Sequence, residues 1–272
     1  MLNLVRMDFY RLFRSKALKI GTIAAALISF LAMLLNFGIL ELIKLGLGAD
    51  PTTAEGIGFI LPIVSWLDGV NFADIVFTGT NYFSLFVSCM MVASFIGSEQ
   101  ACGYTKNIAG QLPCRSMTII SKFIVTCFVQ LLVLLVYTLI SSLCAVLFFN
   151  SYVEGYAIGT LIGGLLLRFL LFCAINAIVL FFCTLAKSHA IAMVVGAIFG
   201  IGVTGLVYTM ASWLLSMMKI SIDVAKLMPD GMNGLISVDS LETFAVRAIV
   251  VAAIFIAGFL GGSVFLLEKR DV

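Results

Sequence analysis

Six long apolar runs divide the chain, at roughly residues 18–43, 75–97, 118–148, 157–186, 190–218 and 244–267. Each is long enough to cross a ~30 Å hydrocarbon core as a helix, for which about 20 residues suffice. Backbone groups in lipid must bond within their own segment, so helices are the form these runs predict. A β-barrel needs alternating segments of about 10 residues, and the sequence has none. Ahead of the first run, MLNLVRMDFYRLFRSKAL sets Leu2, Val5, Phe9 and Leu12 at helical spacing, with Phe13 beside them. Arg6, Asp8, Arg11, Arg14 and Lys16 fill much of the remaining face. Residues 1–17 therefore read as an amphipathic helix lying in the membrane interface. Periodicity alone does not decide whether it does more than anchor the chain. The pattern predicts an all-α membrane protein forming one domain over residues 1–272: six transmembrane helices and one N-terminal interfacial helix.

Composition agrees with this. The chain is 62% hydrophobic and 11% charged, against about 45–50% apolar and ~25% charged in soluble domains. The first run is longer than the ~7–15 residues of a signal-peptide core, so it reads as an uncleaved span. With the N-terminus inside, eleven of the sixteen Lys and Arg fall in inside segments. That bias places both termini in the cytosol. The link 98–117 is then cytosolic, and 44–74 and 219–243 lie outside. Two outer stretches, 56–69 and 226–237, are apolar but too short to span. They read as re-entrant or surface segments interrupted at Pro62 and Pro229. The seven cysteines follow no metal or CxxC spacing and read as small apolar packing residues.

The motifs for chemistry are few. There is no GxxxxGKS or GxxxxGKT run to cradle nucleotide phosphates and no HExxH, and His189 is the one histidine. The spans lack the clusters an intramembrane enzyme needs. Arg168 lies about twelve residues into the fourth run. A guanidinium in a span must face protein or water. It would either touch a polar or anionic substrate group or hold the helix as an internal strut. Asn176 follows two turns on, and Asn81, Ser84 and Ser88 share a face of the second run. These five residues are the candidate substrate pathway, with interhelical hydrogen bonding as the alternative. No acid falls deep in a run, which argues against coupling to a proton gradient. Glycines and alanines recur at four-residue spacing: Gly155, Gly159 and Gly163; Ala192, Gly196 and Gly200; Gly258 and Gly262. Such small faces let helices approach closely.

The stretch EQACGYTKNIAGQLPCRSMTIISK at 99–122 is polar and bent between two apolar runs. By residue type alone it is either a solvated connector or a grip for a cytosolic partner. It resembles the coupling-helix run of the permease subunits of bacterial ABC exporters of the second type, also called type V exporters. The family pattern runs E-x-x-x-G-T-x-K-N, then P, then S-K. Glu99, Gly103, Lys106, Asn107, Pro113, Ser121 and Lys122 match it. Tyr104 and Thr105 stand where the family often has Thr and Ile or Val, and Cys114-Arg115-Ser116 replaces the usual Ser-Arg order. The basic amphipathic start, the six runs and the proline-bearing outer segment extend the resemblance over nearly the whole chain.

The resemblance implies a bacterial cell-membrane transport subunit rather than an enzyme. Glu99, Gly103, Tyr104, Thr105, Lys106, Asn107, Ile108, Pro113 and Lys122 would couple it to a separate ABC ATPase, present in two copies. That partner would bind ATP and Mg, and this chain would bind no cofactor or metal. A second membrane half, from a homodimer or a paired permease, would complete the pathway within the lipid bilayer. The implied cargo is an amphipathic molecule such as an antimicrobial peptide or a drug, and no nucleic-acid partner is expected. The competing readings are a secondary transporter or channel, marked by matched broken helices, and a scaffold or sensor.

Overall fold

The computed structural model describes residues 2–44, 70–79, 82–101, 116–186, 189–217, 224–238 and 240–269. Helix α1 (Leu2–Arg14) and helix α2 (Lys16–Lys44) meet at Ser15. The Ser15 hydroxyl donates to the Leu12 carbonyl at 2.7 Å and accepts from the Leu18 N–H at 3.2 Å. One serine thus closes the first helix and N-caps the second. A two-residue strand, β1 (Val70–Asn71), leads into α3 (Phe72–Gly79), and α4 (Tyr82–Ala101) follows. Then come α5 (Ser116–Phe148), a 3-10 turn, strand β2 (Val153–Gly155) and α6 (Ile158–Ala186). The chain goes on through α7 (His189–Ile201), α8 (Val203–Met217), a second 3-10 turn (Val224–Leu227), α9 (Pro229–Gly234) and α10 (Leu241–Lys269).

Four of these helices, α2, α5, α6 and α10, are each long and apolar enough to cross a membrane. Counting the bent pairs α3–α4 and α7–α8 as one span each raises the number to six. The fold is that of an all-α, multi-pass membrane protein.

Two runs expected as single helices are broken. The second bends by 41° between α3 and α4, and the fifth by 68° between α7 and α8. At the fifth, Gly202 has φ 78°, a left-handed conformation that glycine adopts without a Cβ clash and that ends a helix. A small departure from all-α is the parallel pairing of β1 with β2, Val70 beside Val153 and Asn71 beside Gly155. Segments this short carry no readable alternation.

Helix α6 forms the centre. Leu171 to Leu180 is buried without interruption, as a helix apolar on all sides should be. Helix α10 packs along α6, α7 along α4, and α2 along α5. The pair α2 and α5 runs parallel: Asp8, just before α2, meets Ser121 near the start of α5, whereas Phe37 meets Phe148 and Phe149 at its end. The small-residue faces behave unequally. Gly196 and Gly200 sit against Cys89 and Phe86 of α4, and Gly262 sits against Phe181. Gly155 belongs to β2, and Gly159 and Gly258 face open space.

Candidate functional site

At one end of the bundle, α1 docks on the first turns of α5. The Ser121 hydroxyl donates to the Asp8 carboxylate at 2.5 Å, and Asp8 is only 2% exposed. The Phe9 and Phe13 rings meet Phe128 edge-on, at 5.1 and 5.7 Å between centroids. The buried stripe of α1 is Leu4, Asp8 and Leu12, four residues apart and so on one face. This corrects the sequence reading, which gave Asp8 to the polar face; Phe13, though half exposed, keeps its ring against Phe9 and Phe128. The signal was an acid spaced between two leucines, overlooked because charge alone was taken to mean solvent. Lys122 also turns inward and is buried, within electrostatic reach of Cys183 on α6.

Arg168 is the eleventh residue of α6, nearer its start than the middle. It is 2% exposed. Its Nη1 donates to the Phe77 carbonyl at 2.5 Å and its Nη2 to the Ile236 carbonyl at 3.3 Å. The guanidinium also lies 4.7 Å from the centre of the Phe77 ring. Phe77 is in the last turn of α3, where carbonyls lose their intrahelical partners and the helix dipole favours a cation. Arg168 thus serves the carbonyl end exposed by the break in the second run. It also ties α3 to the stretch before α10, and the Val238 N–H adds a bond to Asp74 Oδ1 of α3 at 2.9 Å.

The structure does not bring Arg168 and Asn176 together. Asn176 Nδ2 donates to Gln130 Oε1 of α5 at 3.3 Å, and the Cys89 thiol of α4 lies 3.9 Å from Asn176 Oδ1. Ser84 and Ser88 are fully buried, and the Ser88 hydroxyl bonds to the Leu85 carbonyl of its own helix at 3.0 Å. Asn81 lies outside the described residues.

Sequence reasoning missed a polar line on α5. Gln130, Tyr137 and Ser141 are all fully buried. At separations of seven and eleven residues they share one helix face. Among the described residues, Gln130 Nε2, the Tyr137 hydroxyl, the Ser141 hydroxyl and the Ser29 hydroxyl of α2 have no hydrogen-bond partner. More than nine in ten buried polar groups ordinarily find one. The signal was present as lone polar residues at helical spacing in an apolar run.

The break in the fifth run has its own charged group. Asp230 of α9 is 2% exposed and accepts a short hydrogen bond from the Thr204 hydroxyl, in the first turn of α8. Tyr208 and the Gly231 N–H also bond to it. Burial raises its pKa above the ordinary carboxylate range, against the lowering effect of these hydrogen bonds. Asp230 lies outside the six runs, yet its carboxyl is folded onto the first turn of α8.

Of the proposed coupling residues, Gly103, Tyr104, Thr105, Lys106, Asn107, Ile108 and Pro113 lie outside the described residues. Glu99 falls in the last turn of α4. The fold and these contacts define a multi-pass helical membrane protein with charged groups at two helix breaks and a polar line through its core. No protein-family model matches the chain, and no curated protein matches it.

Proposed function

We propose that this chain is the membrane permease subunit of an ATP-driven exporter of the second ABC type, with six spans and both termini in the cytosol of a bacterial cell. The observation that carries the reading is the docking of α1. A simple interfacial anchor would keep its acid in water. Here Asp8 is buried against Ser121, and Ser121 lies six residues into the helix that the 98–117 loop enters. A force applied to that loop would move α1 and α5 together, as energy transfer from a cytosolic ATPase requires. The polar line of Gln130, Tyr137 and Ser141, with Asn176 beside it, would meet the polar groups of an amphipathic cargo, while the apolar spans accept its remainder. Arg168 would act as a strut, its two terminal nitrogens each donating to a carbonyl. A second copy or a paired permease would supply the other half of the route.

The test is co-purification through a tag on this chain, expressed with the ATPase encoded nearest to it. Stoichiometric retention of the ATPase is expected. Lys106→Ala with Asn107→Ala, or Gly103→Leu, should abolish retention while the membrane chain still elutes as a single species. Failure to retain even a hydrolysis-dead, ATP-loaded partner would remove the proposal.

One observation favours a second reading, a secondary transporter. The two broken runs are the second member of each set of three, and paired broken helices mark binding sites in inverted-repeat transporters. That reading predicts uptake or efflux driven by an ion gradient in vesicles containing this chain alone.

A further inference from the structure

We propose that Asp230 is a proton-binding site that latches α9 to α8 across the Gly202 break, so that proton uptake closes the latch and proton loss frees α8 to swing. The proposal requires no ATPase and stands under either reading above.

The geometry has three parts. First, among the described residues the main attachments of α8 are the end of α7, the Val224–Leu227 turn and α9. Its outer face, Leu206, Val207, Met210, Trp213 and Leu214, is exposed. Second, the joint at its root is Gly202 at φ 78°, a single residue able to absorb a change of direction. Third, two hydrogen bonds pin α8 from the same side. The Thr204 hydroxyl donates to Asp230 Oδ2, and the Val224 N–H donates to Ser212 Oγ at 3.0 Å. Asp230 Oδ1 is buried and, among the described residues, has no hydrogen-bond partner.

A carboxylate in that position has one oxygen bonded and one buried without a partner among the described residues. The charged or titratable groups on elements packed against α9 are Tyr208 on α8, Lys226 on the 3-10 turn, Arg168, Cys173 and Cys183 on α6, and Glu242, Arg247, Glu268 and Lys269 on α10, the last two at the end of that helix remote from α9 in sequence. Tyr208 donates to Asp230. Arg168 is engaged with Phe77 and Ile236, and Glu242 and Arg247 are exposed. The forces on Asp230 are burial, which favours the neutral acid, and hydrogen bonds from Thr204, Tyr208 and backbone, which favour the anion. Burial is the larger. Closing the latch therefore raises the carboxyl's proton affinity, and by linkage the proton favours closure. The closed form is most stable below the ordinary carboxylate pKa. It weakens as pH rises from there through the raised value, and is weakest above it. No group is transferred; one proton moves between water and the Asp230 carboxyl.

The chain has two tryptophans, and Trp213 sits on the lipid-exposed face of α8. A Trp66→Phe variant leaves Trp213 as the sole reporter. The full chain in nanodiscs of brominated phosphatidylcholine would be titrated from pH 5 to 9, reading quenching of Trp213. The expected result is one sigmoidal change, absent when Asp230→Asn is added. Thr204→Val removes one of the two bonds that pin the closed form and should move the midpoint downward by about one pH unit. A flat response in the parent, or the same titration with Asp230→Asn, overturns the proposal. Should Asp230→Asn fail to fold, Thr204→Val decides: an unmoved midpoint overturns it.

Discussion

Two single residues do for this molecule what long stretches of sequence do not. Arg168 meets the carbonyl end of α3, and Asp230 meets the amide end of α8. Each sign suits the dipole of the helix end it faces. At the first break the Arg168 guanidinium bonds to the Phe77 carbonyl, and at the second the Asp230 carboxyl bonds to the Thr204 hydroxyl. Removing Arg168 should therefore hurt more than removing an ordinary lipid-facing residue. Buried hydrogen bonds from a charged donor contribute about 1.5–3 kcal/mol each, and Arg168 makes two to carbonyls. Arg168→Ala is expected to lower the thermal midpoint sharply in detergent, with Arg168→Lys intermediate because an ammonium cannot span both carbonyls. A midpoint within a degree or two of the parent would dismiss the strut. At the other end, Ser121→Ala should destabilise by about 1–3 kcal/mol by leaving a buried carboxylate oxygen without its donor. A double-mutant cycle with Asp8→Ala should show that loss largely absent once the acid is gone.

At the scale of elements, α7 approaches α4 closely. A Cβ on Gly200 would collide with the backbone of Phe86, whereas one on Gly258 of α10 would meet nothing within 4 Å. Alanine gains about 1 kcal/mol over glycine inside a helix, and overpacking against an immovable backbone costs about 1–3 kcal/mol. Gly200→Ala should thus destabilise the protein and Gly258→Ala should be neutral or stabilising, as thermal unfolding of the two variants would show. The runs that became α2, α5, α6 and α10 were legible from length and hydropathy. The bends in the second and fifth were not. Gly202 is one of several glycines in its run, and nothing local distinguishes it from Gly196 or Gly200, which stay helical. What differs is tertiary: Gly196 and Gly200 pack on α4, whereas just past Gly202 the Thr204 hydroxyl meets Asp230, 26 positions away.

For the whole molecule, the distribution of basic residues predicts that both ends of the chain lie on one side of the membrane. Epitope tags on the two termini should be reached by an impermeant probe from the same face of sealed vesicles, and opposite labelling would reverse the proposed orientation. The sequence by itself determined that the chain is helical, that it lives in a membrane and where its apolar runs fall. Those properties depend on composition and length summed over some twenty residues, and lipid leaves the backbone little alternative. It also exposed a polar loop and a buried arginine as places to look. Tertiary structure alone decided what faces them. Asp8 is buried because Ser121, 113 residues away, offers it a donor. Arg168 is a strut because two carbonyls from distant segments converge on it. Gln130 reaches Asn176 while Tyr137 and Ser141 are left unmet, because helix packing, not local pattern, sets which polar atoms find partners.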